Sequence, residues 1–204
     1  MRLFLYVSLF MLSIFGRQEI YSQSLTAEQI RHIPHILDST KMYSANFTVL
    51  KYHFTGLIYF IKQNDSTVRA IMTSEMGPKI LDLNLMPQEY NVNFAIRQMR
   101  RKVVLNTLYY DLGVASGLFT SKSPFVQESS DSISIARYKL AKKKELVFLL
   151  NTLPTEKSVA YIYEKKKEVV KVEFFYLPNS NNLDSVSISH QTVRMNIELK
   201  KIKF

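Results

Sequence analysis

From Tyr43 to Ile96 apolar and polar residues take turns along the chain, and so long a period-2 pattern commits it to a sheet. In "MYSANFTVL", Tyr43, Ala45, Phe47 and Val49 alternate with Ser44, Asn46 and Thr48. After Gly56, Leu57, Tyr59 and Ile61 share a face, and Lys62 closes the strand. Asn64-Asp65-Ser66 makes a turn, after which Val68, Ala70 and Met72 alternate with Thr67, Arg69 and Ile71. "EMGPK" makes the next turn and leads to Leu81, Leu83 and Leu85. After Pro87 come Tyr90, Val92, Phe94 and Ile96. Five strands joined by short connections form an antiparallel meander, apolar on one face and mostly polar on the other.

Two segments carry a helical period instead. In "SLTAEQIRHIPHIL", Ser24 to Leu37, Thr26 and Gln29 make a weak capping box, and Ile30, Ile33 and Leu37 form a stripe that Pro34 interrupts. From Arg97 to Gly117, Met99, Val103, Leu108, Leu112 and Ala115 sit at helical spacing, and Gly113 or Gly117 can end the element. Arg97, Arg100, Arg101 and Lys102 crowd its first turn and oppose the helix dipole. "SKSPFVQESSDS" reads as a loop, and six strands follow, near 132–138, 145–151, 158–163, 169–177, 184–189 and 193–203. The expectation is an α+β fold of one domain, mostly antiparallel β, with about eleven strands and two helices on one face.

The N-terminus reads as an export signal. Arg2 precedes thirteen uncharged residues, Leu3 to Phe15, too few to span a bilayer core of about 30 Å and suited to a secretory h-region. "RQEIYSQS" then offers Ser22 and Ser24 for cleavage, so residues 1–23 are expected to be a signal peptide and 24–204 the domain. An uncleaved anchor is the alternative. Cleavage would remove two arginines and one glutamate, lowering the net charge from +10 to +9. The chain has no cysteine, so an exported form has no disulfide and depends on its core.

No reaction is written in the chain. It lacks G-x-S-x-G, a Gly-rich loop before a helix, and H-E-x-x-H. His32 and His35 lie three apart, but Pro34 disturbs their geometry and Asp38 is the only nearby third ligand, so no metal is expected. Glu75 and Asp82 flank a turn rather than forming an acid–base pair. The protein is therefore expected not to be an enzyme and to need no cofactor. The basic runs "KLAKKKEL" and "YEKKKEVVK" fall at strand ends, where lysines are ordinarily solvated and guard edges. An anionic membrane surface is the alternative partner for them. Nucleic acid fits the charge but not export.

The stretch "FTGLIYFIKQNDSTVRAIMTSEMGPKILDL" is similar to small Gram-negative envelope lipoproteins of unassigned function. Phe54, Gly56, Lys62, Arg69, Glu75, Gly77 and Asp82 carry the likeness, and "RRKVVLNTLYYDLG" resembles the helix that follows. The order of elements resembles the superfamily of the periplasmic lipoprotein carrier and the outer-membrane lipoprotein receptor (LolA/LolB-like). That resemblance implies an incomplete barrel, or strongly curved sheet, with helices as a lid over an apolar cavity for acyl chains. The envelope lipoproteins carry a lipobox cysteine that this chain lacks, which implies a soluble carrier rather than an anchored receptor.

The combined expectation is a non-enzymatic protein exported to the periplasm, with outer-membrane association left open. It binds a lipid or lipoprotein acyl chain on its concave face, in lipid or lipoprotein transport within the cell envelope. The candidate cavity residues are Phe47, Leu57, Tyr59, Met72, Leu83, Tyr90 and Phe94 from the sheet, with Val103 and Leu108 from the lid helix. Alternation turns Arg69 outward. The alternative is a structural or protein-interaction module of the envelope, with a closed core and a basic docking surface.

Overall fold

A computed structural model describes residue 33 and residues 40–121, 123–129, 133–151, 156–178 and 182–202. The expected signal peptide and the first expected helix, 24–37, lie outside them apart from Ile33, which is buried in the core. The first five strands are β1 (Lys41–Val49), β2 (Tyr52–Asn64), β3 (Thr67–Ser74), β4 (Lys79–Leu85) and β5 (Tyr90–Ala95). Helix α1 (Lys102–Ala115) and a 3₁₀ turn (Leu118–Thr120) follow. Then come β6 (Val126–Ser129), β7 (Ile133–Ala141), β8 (Lys144–Asn151), β9 (Lys157–Glu164), β10 (Lys167–Tyr176), β11 (Leu183–His190) and β12 (Met195–Lys201).

All twelve strands form one sheet in the order β5-β4-β3-β2-β1-β12-β11-β10-β9-β8-β7-β6. The chain meanders from the centre to one edge, crosses through α1, and meanders back from the other edge until β12 closes on β1. Every neighbouring pair is antiparallel, and Tyr43 to Val49 zip against Lys201 to Met195. The twelfth strand is β6, in the stretch that reads as a loop. Val126 to Ser129 pair with Arg137 to Ser134, so β7 supplies the ladder that four residues alone could not specify. Among the described residues there is one α-helix.

The inner faces of both arms build one core, which includes Phe47, Phe60, Phe148 and Phe174 at 0–1 % exposure. α1 closes it with Leu105, Leu108, Leu112 and Val114. The helix begins five residues later than expected, leaving Arg97, Arg100 and Arg101 outside it, and Arg101 caps it without a side-chain hydrogen bond. Excluding these cations from the helix relieves their conflict with the dipole. Gly117 follows in the left-handed region (φ 74°), a conformation glycine adopts without Cβ strain.

Arg69 projects from the outer face, as alternation requires, onto a carboxylate that is only 1 % exposed. Arg69 Nε and Nη2 donate to Asp82 at 2.9 and 2.8 Å, Lys79 Nζ at 2.7 Å and Asn93 Nδ2 at 3.0 Å. These donors, the Arg69 fork foremost, hold the Asp82 carboxyl well below the ordinary carboxylate range despite its burial. Residues that carry the lipoprotein likeness thus rivet β3 to β4 rather than form a site. The folded state favours ionised Asp82, so its stabilisation is complete above the unfolded carboxyl pKa of about 3.9 and is lost as the pH falls below it. Urea midpoints measured from pH 5 down to pH 2 are expected to fall less steeply for Asp82→Asn than for the parent. Identical slopes would contradict this assignment.

Candidate functional site

Four of the nine candidate cavity residues do face the concave side: Phe47, Met72, Leu83 and Leu108. All are 0 % exposed and packed into the core rather than lining open space. Tyr90 is partly buried against the same core, where its hydroxyl donates to Asn106 Oδ1 at 2.7 Å and ties β5 to α1.

The other four do not face it. Leu57 and Tyr59 lie on the outer face, because Ile58 and Phe60 take the inner one opposite Met72 and Ala70. Leu57 to Ile61 is apolar at every position, so alternation cannot choose between two registers one residue apart. Phe94 is displaced outward by a bulge. Asp82 pairs with Phe94 but Leu83 pairs with Val92, leaving Asn93 unpaired and its amide bonded to Asp82 and Asn84. Phe94 is 37 % exposed in consequence. Val103 is 69 % exposed. It precedes Leu108 by five residues, which places it about 140° around the helix from that core position.

Open apolar space lies instead where α1 and the 3₁₀ turn meet the β7 edge of the sheet. A recess of about 600 Å³ is lined there by Tyr110, Leu118, Phe119, Phe125, Tyr138 and Leu140, with Pro87 and Gln88 across from them. Lys139 and Lys142 stand in its wall. An aromatic cluster supports it from behind: Tyr109 lies 4.8 Å from Tyr110, 5.3 Å from Tyr90 and 5.5 Å from Phe119 between ring centroids. Tyr109 also donates to the Met86 carbonyl at 2.8 Å, pinning the helix to the β4–β5 turn. Burial pushes the Tyr138 phenol up to about 12, and burial likewise raises Tyr110, so neither presents an anion to the recess near neutral pH.

A second recess of about 340 Å³ lies between α1 and the ends of β8 to β11. Val103 and Asn106 line it from the helix, and Glu164, Val169 and Thr192 from the sheet. Asp111 and His190 also line it, with Asp111 Oδ2 and His190 Nε2 2.9 Å apart and their side chains 0 and 3 % exposed. Burial raises the Asp111 carboxyl, and the hydrogen bond to His190 partly offsets this. Lys144 covers the Tyr110 ring at 4.1 Å and lies 3.6 Å from Glu164. These contacts clamp the helix to the second arm of the sheet as Tyr90 and Tyr109 clamp it to the first. Among the described residues no group of three His, Cys, Asp or Glu side chains is placed to hold a metal. Nor is any helix among them long and apolar enough to cross a membrane.

Sequence reasoning missed the recess residues because they come from five separate elements. The one local signal is the aromatic density of "TLYYDLGVASGLF", which reads equally well as helix core.

No family model and no curated protein matches the chain. Among solved structures it is similar to a LolA superfamily protein from Nitrosomonas europaea, with a TM-score of 0.54 and 9 % identity over 89 % of this chain and 95 % of that one. The fold of this chain, an open and mostly antiparallel sheet with a helix packed into it, is therefore LolA-like.

Proposed function

We propose that this chain is a non-enzymatic exported protein that takes the acyl chain of a lipid or lipoprotein into the recess beneath α1, in lipid or lipoprotein transport within the cell envelope. The observation that carries this reading is the 600 Å³ recess itself, where aromatic and aliphatic side chains form one part of the lining and Gln88, Ser121, Ser123, Lys139 and Lys142 the other. Its volume falls within the range of about 300–1,000 Å³ usual for small-molecule sites. Each methylene that leaves water there contributes about 0.8 kcal/mol, and no polar group need take part.

The closed packing of Phe47, Met72, Leu83 and Leu108 favours a second reading, an envelope interaction module without cargo. Protein purified without detergent separates the two. Native mass spectrometry and solvent extraction are expected to find co-purifying lipid, and the protein is expected to take up a fluorescent fatty acid. Phe125 is 55 % exposed, so Phe125→Asp should fold normally. It should weaken uptake about ten-fold, the order of one lost aromatic contact. Gly113→Ala drives a Cβ into the Phe119 ring, which must shift, and should alter uptake by reshaping the recess wall. Phe94→Thr, on the outer face and uncharged, is the control and should leave uptake unchanged. Empty protein that ignores the fatty acid, or equal effects of all three substitutions, would favour the interaction module.

A further inference from the structure

In an antiparallel meander alternate connections emerge at the same end, and here the two ends differ in charge. At one end emerge the β1–β2 turn with Lys51, the segment before α1 with Arg97, Arg100 and Arg101, and the β11–β12 turn with Arg194. The β7–β8 turn adds Lys142 and Lys143, and the β9–β10 turn adds Lys165 and Lys166. All nine cations are exposed, and none forms an ion pair among the described residues. The single acid in these connections is Glu75. At the other end the described connecting residues hold Asp65, Glu89 and Glu156 and no cation.

The turns at the basic end are also bound to one another. Lys165 N–H donates to the Lys143 carbonyl at 2.9 Å, and Leu50 N–H to the Arg194 carbonyl at 2.8 Å, so the cations sit on a joined rim rather than on independent tips. Lys165 and Lys166 both occupy the left-handed region (φ 50° and 66°), where a hairpin ordinarily places Asn-Gly. Two apolar side chains stand in water at this same end. Met76, at the tip of the β3–β4 turn, is 93 % exposed, and Val103, in the first turn of α1, is 69 % exposed.

We propose that this end of the sheet docks on an anionic lipid bilayer, the cations reading the headgroup charge and Met76 and Val103 entering the interfacial layer. The cations are spread over five connections instead of tracking a groove, which suits an extended surface better than a strand of nucleic acid. Apolar side chains set among cations match the layered chemistry of a membrane interface, polar outside and apolar within. Lys142 belongs both to this rim and to the wall of the recess, so docking would bring the recess to the lipid surface. The proposal does not depend on cargo, since it concerns attachment alone.

The test is co-sedimentation of the full chain with phosphatidylcholine vesicles, with and without a minority of phosphatidylglycerol. The apolar N-terminal stretch is common to every variant and both vesicle types, so the difference between vesicles reports the charged rim. Binding should favour the anionic vesicles and weaken with salt. Lys142→Glu/Lys143→Glu should reduce it about twenty-five-fold or more, about five-fold for each cation lost. Lys51→Glu/Arg194→Glu tests the same rim at an independent place should the first variant not fold. Lys62→Glu/Lys200→Glu changes the net charge equally but lies toward the opposite end, and should have little effect. Equal losses in rim and control variants would overturn the proposal by assigning binding to net charge. So would binding without anionic preference, or capture of duplex DNA or polyglutamate by a protein that ignores the vesicles.

Discussion

Leu83→Glu is expected to unfold the protein, not to block ligand uptake in a folded one. Leu83 is 0 % exposed, and its inner-face neighbours across the ladder are Ala70 and Val92. Among the described residues the core holds no lysine or arginine to pair with a carboxylate there, and burying an unpaired charge belongs to the few substitutions that cost about 4 kcal/mol or more. That is a large share of the roughly 5–15 kcal/mol by which a domain is stable. Leu83→Met keeps volume and polarity and should cost less than about 1.5 kcal/mol. Urea unfolding followed by circular dichroism measures both. A Leu83→Glu protein that unfolds cooperatively near the parent midpoint, yet loses fatty-acid uptake, would mean that Leu83 lines a solvent-filled cavity. The proposed site would then move from the recess to the concave face of the sheet.

The second large effect concerns Gly56, where two strands touch backbone to backbone. A Cβ built on Gly56 runs into the Thr73 carbonyl oxygen and the Ser74 Cα of β3, atoms that no rotamer change can move aside. Gly56→Ala must therefore part β2 from the end of β3, at an expected cost of about 3 kcal/mol or more. Gly77 offers the contrast. Its φ of 98° strains any L residue, but no atom lies within 4 Å of a Cβ placed there. Gly77→Ala should cost only about 1–2 kcal/mol, the strain of a left-handed conformation. Matched urea midpoints for the two variants would show that β3 yields easily and that the close approach carries little of the stability.

Gly56, Arg69 and Asp82 show what the lipoprotein likeness means physically. A glycine admits β3 close against β2, and a buried carboxylate ties β3 to β4, so a similar spacing of these residues favours the same sheet whatever the cargo. The LolA-like expectation came instead from the order of elements, and the fold agrees with it. Candidate residues drawn from strict alternation fared by strand. In β1, β3 and β4, where polar letters such as Asn46, Thr48, Arg69, Thr73, Asp82 and Asn84 set the phase, Phe47, Met72 and Leu83 face inward. In β2 the apolar run is continuous, and in β5 a bulge resets the phase, so Leu57, Tyr59 and Phe94 face outward.

By itself the sequence determined a long antiparallel meander, a helix after its fifth strand and the outward direction of Arg69, because period and turn chemistry act over a few neighbouring residues. Only the tertiary structure decided which face of an all-apolar strand is inside, since that depends on the partner strand's register. It also decided that the central wall is filled by its own side chains and that open apolar space lies at the sheet's edge. Phe119, Phe125 and Tyr138 meet there only once the two arms have closed on α1. Charge followed the same division. Each lysine pair looks like a separate solvated turn in the sequence, and strand parity alone gathers them on one rim.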